Sequence, residues 1–332
     1  MVYTIVVTII LLILLVLIAM TRFGFRQITQ MKLQTSDSLF KFMEDAGVYS
    51  KERFDILDKS DVSVTTRDGL TLHGYAISSH PNSNKWVIIV HGYTASLEVS
   101  AQFGGLFEDI GFNVLLVDQR RHGRSQGSYT TYGFHEKYDI ESWVNWIISH
   151  AGTDVVIGLH GQSLGGGTVL EYLTIADPRV HFVIADCPYS DLTQLIRYQL
   201  SVLNKVPTFP FLPLINNQLE RKAGFRLHQV SPIKSVQNTS MPVMFIHGTE
   251  DKYVPTRMSQ DMYKVKAHGL KKLLLVNGAI HGNAYSVDPV RYSHEVQAFV
   301  TQTLEEHVSS PVTPLNSSNS EETSDSSSDY SS

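Results

Sequence analysis

"GLHGQSLGGGTVL", Gly158 to Leu170, sets Ser163 between one glycine two residues before it and another two residues after it. Composition alone produces a G-x-S-x-G match in roughly one chain of this size in ten, so the flanks decide what it means. Upstream, "DVVIGL" (154–159) is a short apolar run rich in β-branched residues. Downstream, "LGGGTVLEYLTIA" (164–176) can open a helix directly after the serine. A strand, one sharp turn and a helix then meet at Ser163. Such a turn puts the serine at a strained positive φ, and side chains at 161 and 165 would collide with each other and with neighbouring backbone. Glycine removes the Cβ atoms that clash. The hydroxyl is left at the C-terminal edge of a sheet with a helix N-terminus behind it, which is the geometry of a nucleophile elbow.

Working outward, "KWVIIVHG" (85–92), "FNVLLVD" (112–118), "VHFVIAD" (180–186), "MPVMFIHG" (241–248) and "KKLLLVNG" (271–278) are similar nearly continuous apolar runs. Runs of this kind suit strands buried on both faces of a parallel sheet. Stretches of helical length, such as 135–150 and 255–268, lie between them. The alternation predicts an α/β fold with a mostly parallel sheet of about eight strands and helices on both faces. An antiparallel hairpin, "DVSVTT" and "LTLHGYAI" joined by "RDG", begins the domain. Between the runs at 180–186 and 241–248 the rhythm breaks. The stretch of about 188–235, with "VPTFPFLPLI" (206–215), is expected to form a small helical cap, either a lid or extra packing.

A serine hydroxyl needs a base to take its proton, and the base needs a carboxylate to orient it. His281, in "VNGAIHGNAYS", and Asp251, in "FIHGTEDKYVP", each follow a strand, in the chain order Ser…Asp…His. Glu250 and Asp191 are alternative acids. Backbone N–H groups best hold the negative oxygen of a tetrahedral intermediate. The expected donors are Leu164, directly after the serine, and Tyr93, in the turn "HGYT" (91–94).

The ends differ from the middle. Residues 1–21 have no charged side chain, and "VYTIVVTIILLILLVLIAM" can cross a bilayer as one helix. An uncleaved anchor is expected over a signal peptide, because no Lys or Arg precedes the run and no A-x-A site follows. Arg22, Arg26 and Lys32 follow it, which places the body in the cytoplasm by the positive-inside rule. Residues 22–58 are expected to be a juxtamembrane helical segment, with Leu39, Met43 and Ala46 at helical spacing. The domain proper is then 59–308. Residues 309–332 are Ser-rich and acidic, and are expected to be disordered.

The net charge is −5, and Glu321, Glu322, Asp325 and Asp329 account for four of these charges. The near-neutral remainder is not that of a nucleic-acid binder. A single cysteine, Cys187, forms no internal disulfide. Neither an H-E-x-x-H zinc pair nor a P-loop lysine occurs, so no metal or cofactor is expected.

Taken together, "HGYT", "DQRRHGRS" (118–125), "GQSLG" (161–165), "TEDKYVP" (249–255) and "IHGNAY" (280–285) resemble the α/β-hydrolase superfamily over residues 60–305. The subgroup resembled is the serine aminopeptidase-like and monoacylglycerol-lipase-like hydrolases, including bacterial single-span members. The resemblance implies hydrolysis of an ester, less often an amide or thioester. It also implies loop-stabilising roles for Asp118, Arg120 and His122. Arg121 stands where the family commonly has glycine. The anchor and "VPTFPFLPLI" point to a small acyl ester, lipid-like or of medium chain length. A peptidase on small peptides and a non-catalytic binding protein are the rival readings. The oligomeric state is not legible.

Overall fold

The computed structural model describes residues 1–309. All but the first residue of the Ser-rich tail therefore lies outside the described residues. Three helices come first, α1 (Val2–Thr29), α2 (Ser36–Asp45) and α3 (Lys51–Asp55). The hairpin β1 (Ser60–Thr65) and β2 (Thr71–Ile77) follows, then β3 (Lys85–Val90), α4 (Leu97–Ser100), α5 (Gly104–Glu108), β4 (Asn113–Val117) and α6 (Glu136–Ala151). The elbow joins β5 (Val156–Gln162) to α7 (Leu164–Tyr172), and β6 (Val180–Asp186) comes next. The cap comprises α8 (Leu192–Tyr198), a π-helical turn (Gln199–Leu203) and α9 (Thr208–Ala223), after which α10 (Pro232–Gln237) leads back to the sheet. The chain closes with β7 (Val243–Gly248), α11 (Arg257–Val265), β8 (Lys271–Val276), α12 (Ala284–Val287) and α13 (Pro289–Ser309).

The eight strands form one sheet in the order β1-β2-β4-β3-β5-β6-β7-β8. β1 and β2 are antiparallel to their neighbours, and the strands from β4 to β8 in that order run parallel. The continuous apolar runs have a simple cause. Along β3, Val87 and Ile89 belong to the core on one face while Trp86, Ile88 and Val90 belong to the core on the other. A strand covered on both sides has no polar face to show. The first core is closed by α2 and α13, through Leu39, Phe40, Met43, Tyr292, Val296 and Phe299. Thus α2 packs on the domain. The second core is closed by α6 and α7, with Trp143 at its centre. Gly74 admits the Trp143 ring, since a Cβ there would lie 3.1 Å from its Cη2.

A third cluster positions the site. It joins Phe25 and Ile28 of α1 to Phe211, Ile215 and Leu219 of α9, and to Tyr132, Leu164 and Tyr189 of the domain. So α1 does not end with its uncharged stretch. It runs on through Arg22 and Arg26 to Thr29, and its last two turns are built into the fold beneath the cap. "VPTFPFLPLI" becomes the start of α9, with Phe211 and Ile215 buried and Phe209 exposed.

Replacing Trp143 by alanine removes a fully buried ring, and is expected to cost about 3–5 kcal/mol of unfolding free energy. Trp146→Ala, on the half-buried side of the same helix, should lose clearly less. Urea titration of both variants checks the assignment; equal losses would contradict the described packing.

Candidate active site

β5 runs straight into the turn, and Ser163 sits at its tip with φ 56° and ψ −111°. Crowding leaves the chain no alternative. A Cβ on Gly161 would lie 2.3 Å from the Gly165 carbonyl oxygen, and one on Gly165 would lie 2.1 Å from the carbonyl oxygen of Val90. Real Cβ atoms do not approach so closely. The strained serine is held further by its own N–H, which donates to the Asp186 carbonyl at 2.7 Å.

Two loops from neighbouring strands converge on it. Ser163 Oγ lies 2.8 Å from Nε2 of His281, and His281 Nδ1 lies 2.7 Å from Oδ2 of Asp251. An ionised carboxylate can only accept, so Nδ1 carries the proton and Nε2 is left to accept from the serine hydroxyl. The Asp251 side chain is completely buried, while that of His281 is 23% exposed. Burial alone would push the Asp251 carboxyl up. Hydrogen bonds from His247 and His281, with backbone donors, outweigh it and hold the group well below the usual carboxylate range. The backbone donors are Tyr253 N and Val254 N, both 2.9 Å from Oδ1. Of the alternative acids, Glu250 is exposed, and Asp191 caps α8 by accepting from Gln194 N. Neither joins the group around His281.

His247 was not singled out from the sequence, and it is the second imidazole on that carboxylate. Its Nε2 lies 3.1 Å from Asp251 Oδ2 and 2.9 Å from the Val254 carbonyl, so it carries the proton. Its Nδ1 then accepts from Ser259 Oγ at 2.7 Å. The signal was a histidine at the end of β7, four residues before the acid, inside a run read only as strand.

The loop after β3 is fixed by a second histidine that sequence reading passed over as part of a turn. His91 is fully buried. Its Nε2 accepts from Gln119 N at 3.0 Å, which leaves Nδ1–H to donate to the Gly92 carbonyl at 2.7 Å. Burial pulls the ring's pKa down to about 4, so it is neutral at physiological pH. Gly92 O and Tyr93 N–H belong to one trans peptide and point in opposite directions. Pinning that oxygen to His91 therefore aims the Tyr93 N–H away from His91. Gly92 itself lies against the serine, since a Cβ there would sit 3.4 Å from Ser163 Cβ. Neither Tyr93 N–H nor Leu164 N–H donates to another group among the described residues. Leu164 opens α7, where backbone N–H groups have no helical partner.

"DQRRHGRS" buttresses this loop. Asp118 accepts from Leu97 N and Arg124 N, and Arg120 pairs with both Asp139 and Asp68. His122 is buried with Nδ1 3.0 Å from the Arg120 carbonyl. Arg121 has φ 69°, which explains why glycine is common there.

Cys187, Asp251 and His281 bring three potential metal-ligand atoms within 4.8 Å of one another. Their chemistry does not fit a metal. Burial pushes the Cys187 thiol far up, so it stays protonated, and His281 and Asp251 already spend their facing atoms on each other. A cavity of about 480 Å³ adjoins the site, with Tyr132 and Tyr253 among its walls. The Tyr253 ring lies 5.1 Å from that of His281.

The family model described as the alpha/beta hydrolase fold matches residues 85–230. The chain is 32% identical over 271 residues to the uncharacterized protein YqkD of Bacillus subtilis, covering 81% of this chain and 88% of that one. It is 32% identical over 139 residues to the thiohydrolase aneE of Aspergillus aculeatus, covering 40% and 43% of the two chains. Among solved structures it is similar to the Pyrococcus furiosus esterase Pf2001, with a TM-score of 0.62, 24% identity, and 76% and 94% of the two chains covered. It is also similar to Est1E of Butyrivibrio proteoclasticus bound to ferulic acid, with a TM-score of 0.58, 20% identity, and 74% and 99% covered. The likeness to the solved structures is one of fold; with the YqkD match and the family model, it establishes that this chain belongs to the α/β-hydrolase family.

Proposed function

We propose that the protein is a membrane-anchored serine hydrolase that cleaves carboxylic esters, with Ser163 as nucleophile, His281 as base and Asp251 as its orienting acid. The observation that carries this is the unbroken line from Ser163 Oγ through both nitrogens of His281 to Asp251, at 2.8 and 2.7 Å.

His281 Nε2 takes the Ser163 proton as Oγ attacks the acyl carbonyl. The carbonyl oxygen becomes an anion held by the N–H groups of Tyr93 and Leu164, which need no reorganisation because His91 and the start of α7 have already set them. His281 returns its proton to the departing alcohol oxygen. Water then repeats the sequence on the acyl-enzyme, giving the carboxylic acid and restoring Ser163. Asp251 stays ionised throughout; its part is to keep the proton on Nδ1 and to stabilise the imidazolium that forms. His247 fills one acceptor position on Oδ2 and so helps fix the carboxylate's orientation.

The anchor reading is supported by α1. The most apolar 18 residues of this helix have a mean hydropathy of 3.2 and lie unburied. Sixteen exposed uncharged residues in a row, Met1 to Val16, need a lipid environment. Phe25 and Ile28 at the other end of the same helix are core residues, which supports retention of the helix as a working part of the protein. Arg22, Arg26 and Lys32 support a body on the cytoplasmic side.

Steady-state hydrolysis of p-nitrophenyl butyrate by full-length protein in detergent tests the assignment. Ser163→Ala and His281→Ala should each lower kcat by about 10⁴-fold or more, and Asp251→Asn by about 10³–10⁴-fold. His91→Phe, which frees the Gly92–Tyr93 peptide, should lower kcat about 10²-fold with a smaller change in KM. A Ser163→Ala protein that keeps the wild-type rate would end the reading.

A further inference from the structure

We infer that the anchor helix is itself part of the substrate site: the acyl chain of the ester lies between the last three turns of α1 and the cap, so the specificity pocket is complete only with the anchor in place. This rests on the serine-hydrolase reading above and adds to it the class of substrate, an ester of a long, unbranched acyl chain.

The cavity beside the site has three walls. From α1 come Met20, Phe23, Gly24 and Ile28; from α8 and the π-helical turn Ile196 and Leu200; from α9 Phe211 and Ile215. None of its lining residues is charged. Of its few polar side chains, the Gln199 amide donates to the Tyr253 carbonyl and the Asn204 amide to the Gln199 carbonyl. Gln27 and the two tyrosines also line it, so the slot is mostly rather than wholly apolar, and its size is that of a small-molecule pocket. A peptide, with its unpaired amides, would find few partners in it. An alkyl chain needs none.

The slot also runs between the right places. One end is Tyr253, whose ring lies against His281, and Tyr132, whose ring centroid is 5.7 Å from that of Tyr93. The other end is Met20 and Phe23, which are still exposed and continue the apolar surface of residues 2–18. A chain lying in the slot therefore runs from the membrane-spanning part of α1 to Tyr253, against His281.

The attachment of α1 is specific. At Gly24 the helix approaches α9 so closely that a Cβ would sit 2.7 Å from Ile215 Cδ1. At the end of the helix Thr130 N donates to the Thr29 carbonyl, and just beyond it Met31 N donates to the hydroxyl of Tyr93. Arg121, held at a positive φ that is unfavourable for a non-glycine residue, donates from its guanidinium to the Met31 carbonyl at 2.8 Å. That contact gives the arginine a task which a glycine at 121 could not perform. Tyr93 thus has its backbone at the oxyanion position and its side chain on the end of the anchor.

The test uses full-length protein in phospholipid nanodiscs with p-nitrophenyl acetate and p-nitrophenyl decanoate, reading the ratio of kcat/KM for the two esters. Wild type should favour decanoate at least about tenfold, the scale on which apolar pockets discriminate. Met20→Trp on the anchor wall and Leu200→Trp on the cap wall fill the slot, and each should lower the ratio about tenfold or more. Phe23→Ala, an exposed position whose loss does not threaten folding, should lower it severalfold. Leu11→Trp, on the span away from the slot, should leave the ratio alone. Wild-type ratios in the Met20, Leu200 and Phe23 variants, or no chain-length preference in wild type, would overturn the inference while leaving the hydrolase reading intact. Cleavage of neither ester, or cleavage that survives Ser163→Ala, would instead defeat the hydrolase reading and the inference with it.

Discussion

The site depends on how closely three pieces of backbone can be brought together at one point. β5, β3 and the first turn of α7 meet around Ser163 at distances that exclude even a methyl group. A Cβ on Gly165 would lie 2.1 Å from the oxygen of Val90. The two glycines allow this contact, and the contact forces the serine to φ 56°. From that strain follow the exposure of Oγ, the free N–H of Leu164 and the nearness of the Gly92–Tyr93 peptide. Backbone strain of this kind persists only where the surroundings over-determine it. Here they do so with a buried parallel sheet on one side and the α7 core on the other.

Around that point the polar groups are arranged so that Asp251 and His91 each keep one proton state. Asp251 receives four donors, two from backbone and two from imidazoles, and stays ionised despite its burial. His91 has one ring nitrogen donating and one accepting, and stays neutral. Fixing these states settles which way His281 faces and which way the Tyr93 N–H points. Ser163 and His281 then have little conformational freedom left.

Much of this was legible in the sequence because it is local. The apolar runs predicted each parallel strand to within a few residues, since burial on both faces leaves an unbroken signature. The glycine spacing announced the elbow, and strand ends marked where Asp251 and His281 would fall. What was missed is what the chain brings together from afar. His247 lay in plain view inside "FIHG", but its contact with Asp251 depends on the loop after β7 folding back. His91 looked like part of a turn until the geometry showed its ring holding the next peptide. The expected anchor, 1–21, covers only the uncharged residues. In the structure the helix continues to Thr29, because Phe25 and Ile28 find the cap helix, 190 or so positions later in the chain, and no local pattern carries that information. Arg121 stood out as a departure from a family pattern, and its reason is a carbonyl at position 31.

The central claim is that the Ser163 hydroxyl is activated by His281. The most direct test is the mass of the covalent adduct formed with a fluorophosphonate, which reacts with activated serines. Full-length protein is incubated with the reagent in detergent, digested and mapped. The account predicts a single phosphonylated peptide, modified at Ser163, and no such adduct when His281 is replaced by alanine. A folded protein that forms no adduct, or one modified at another serine with Ser163 untouched, would contradict it.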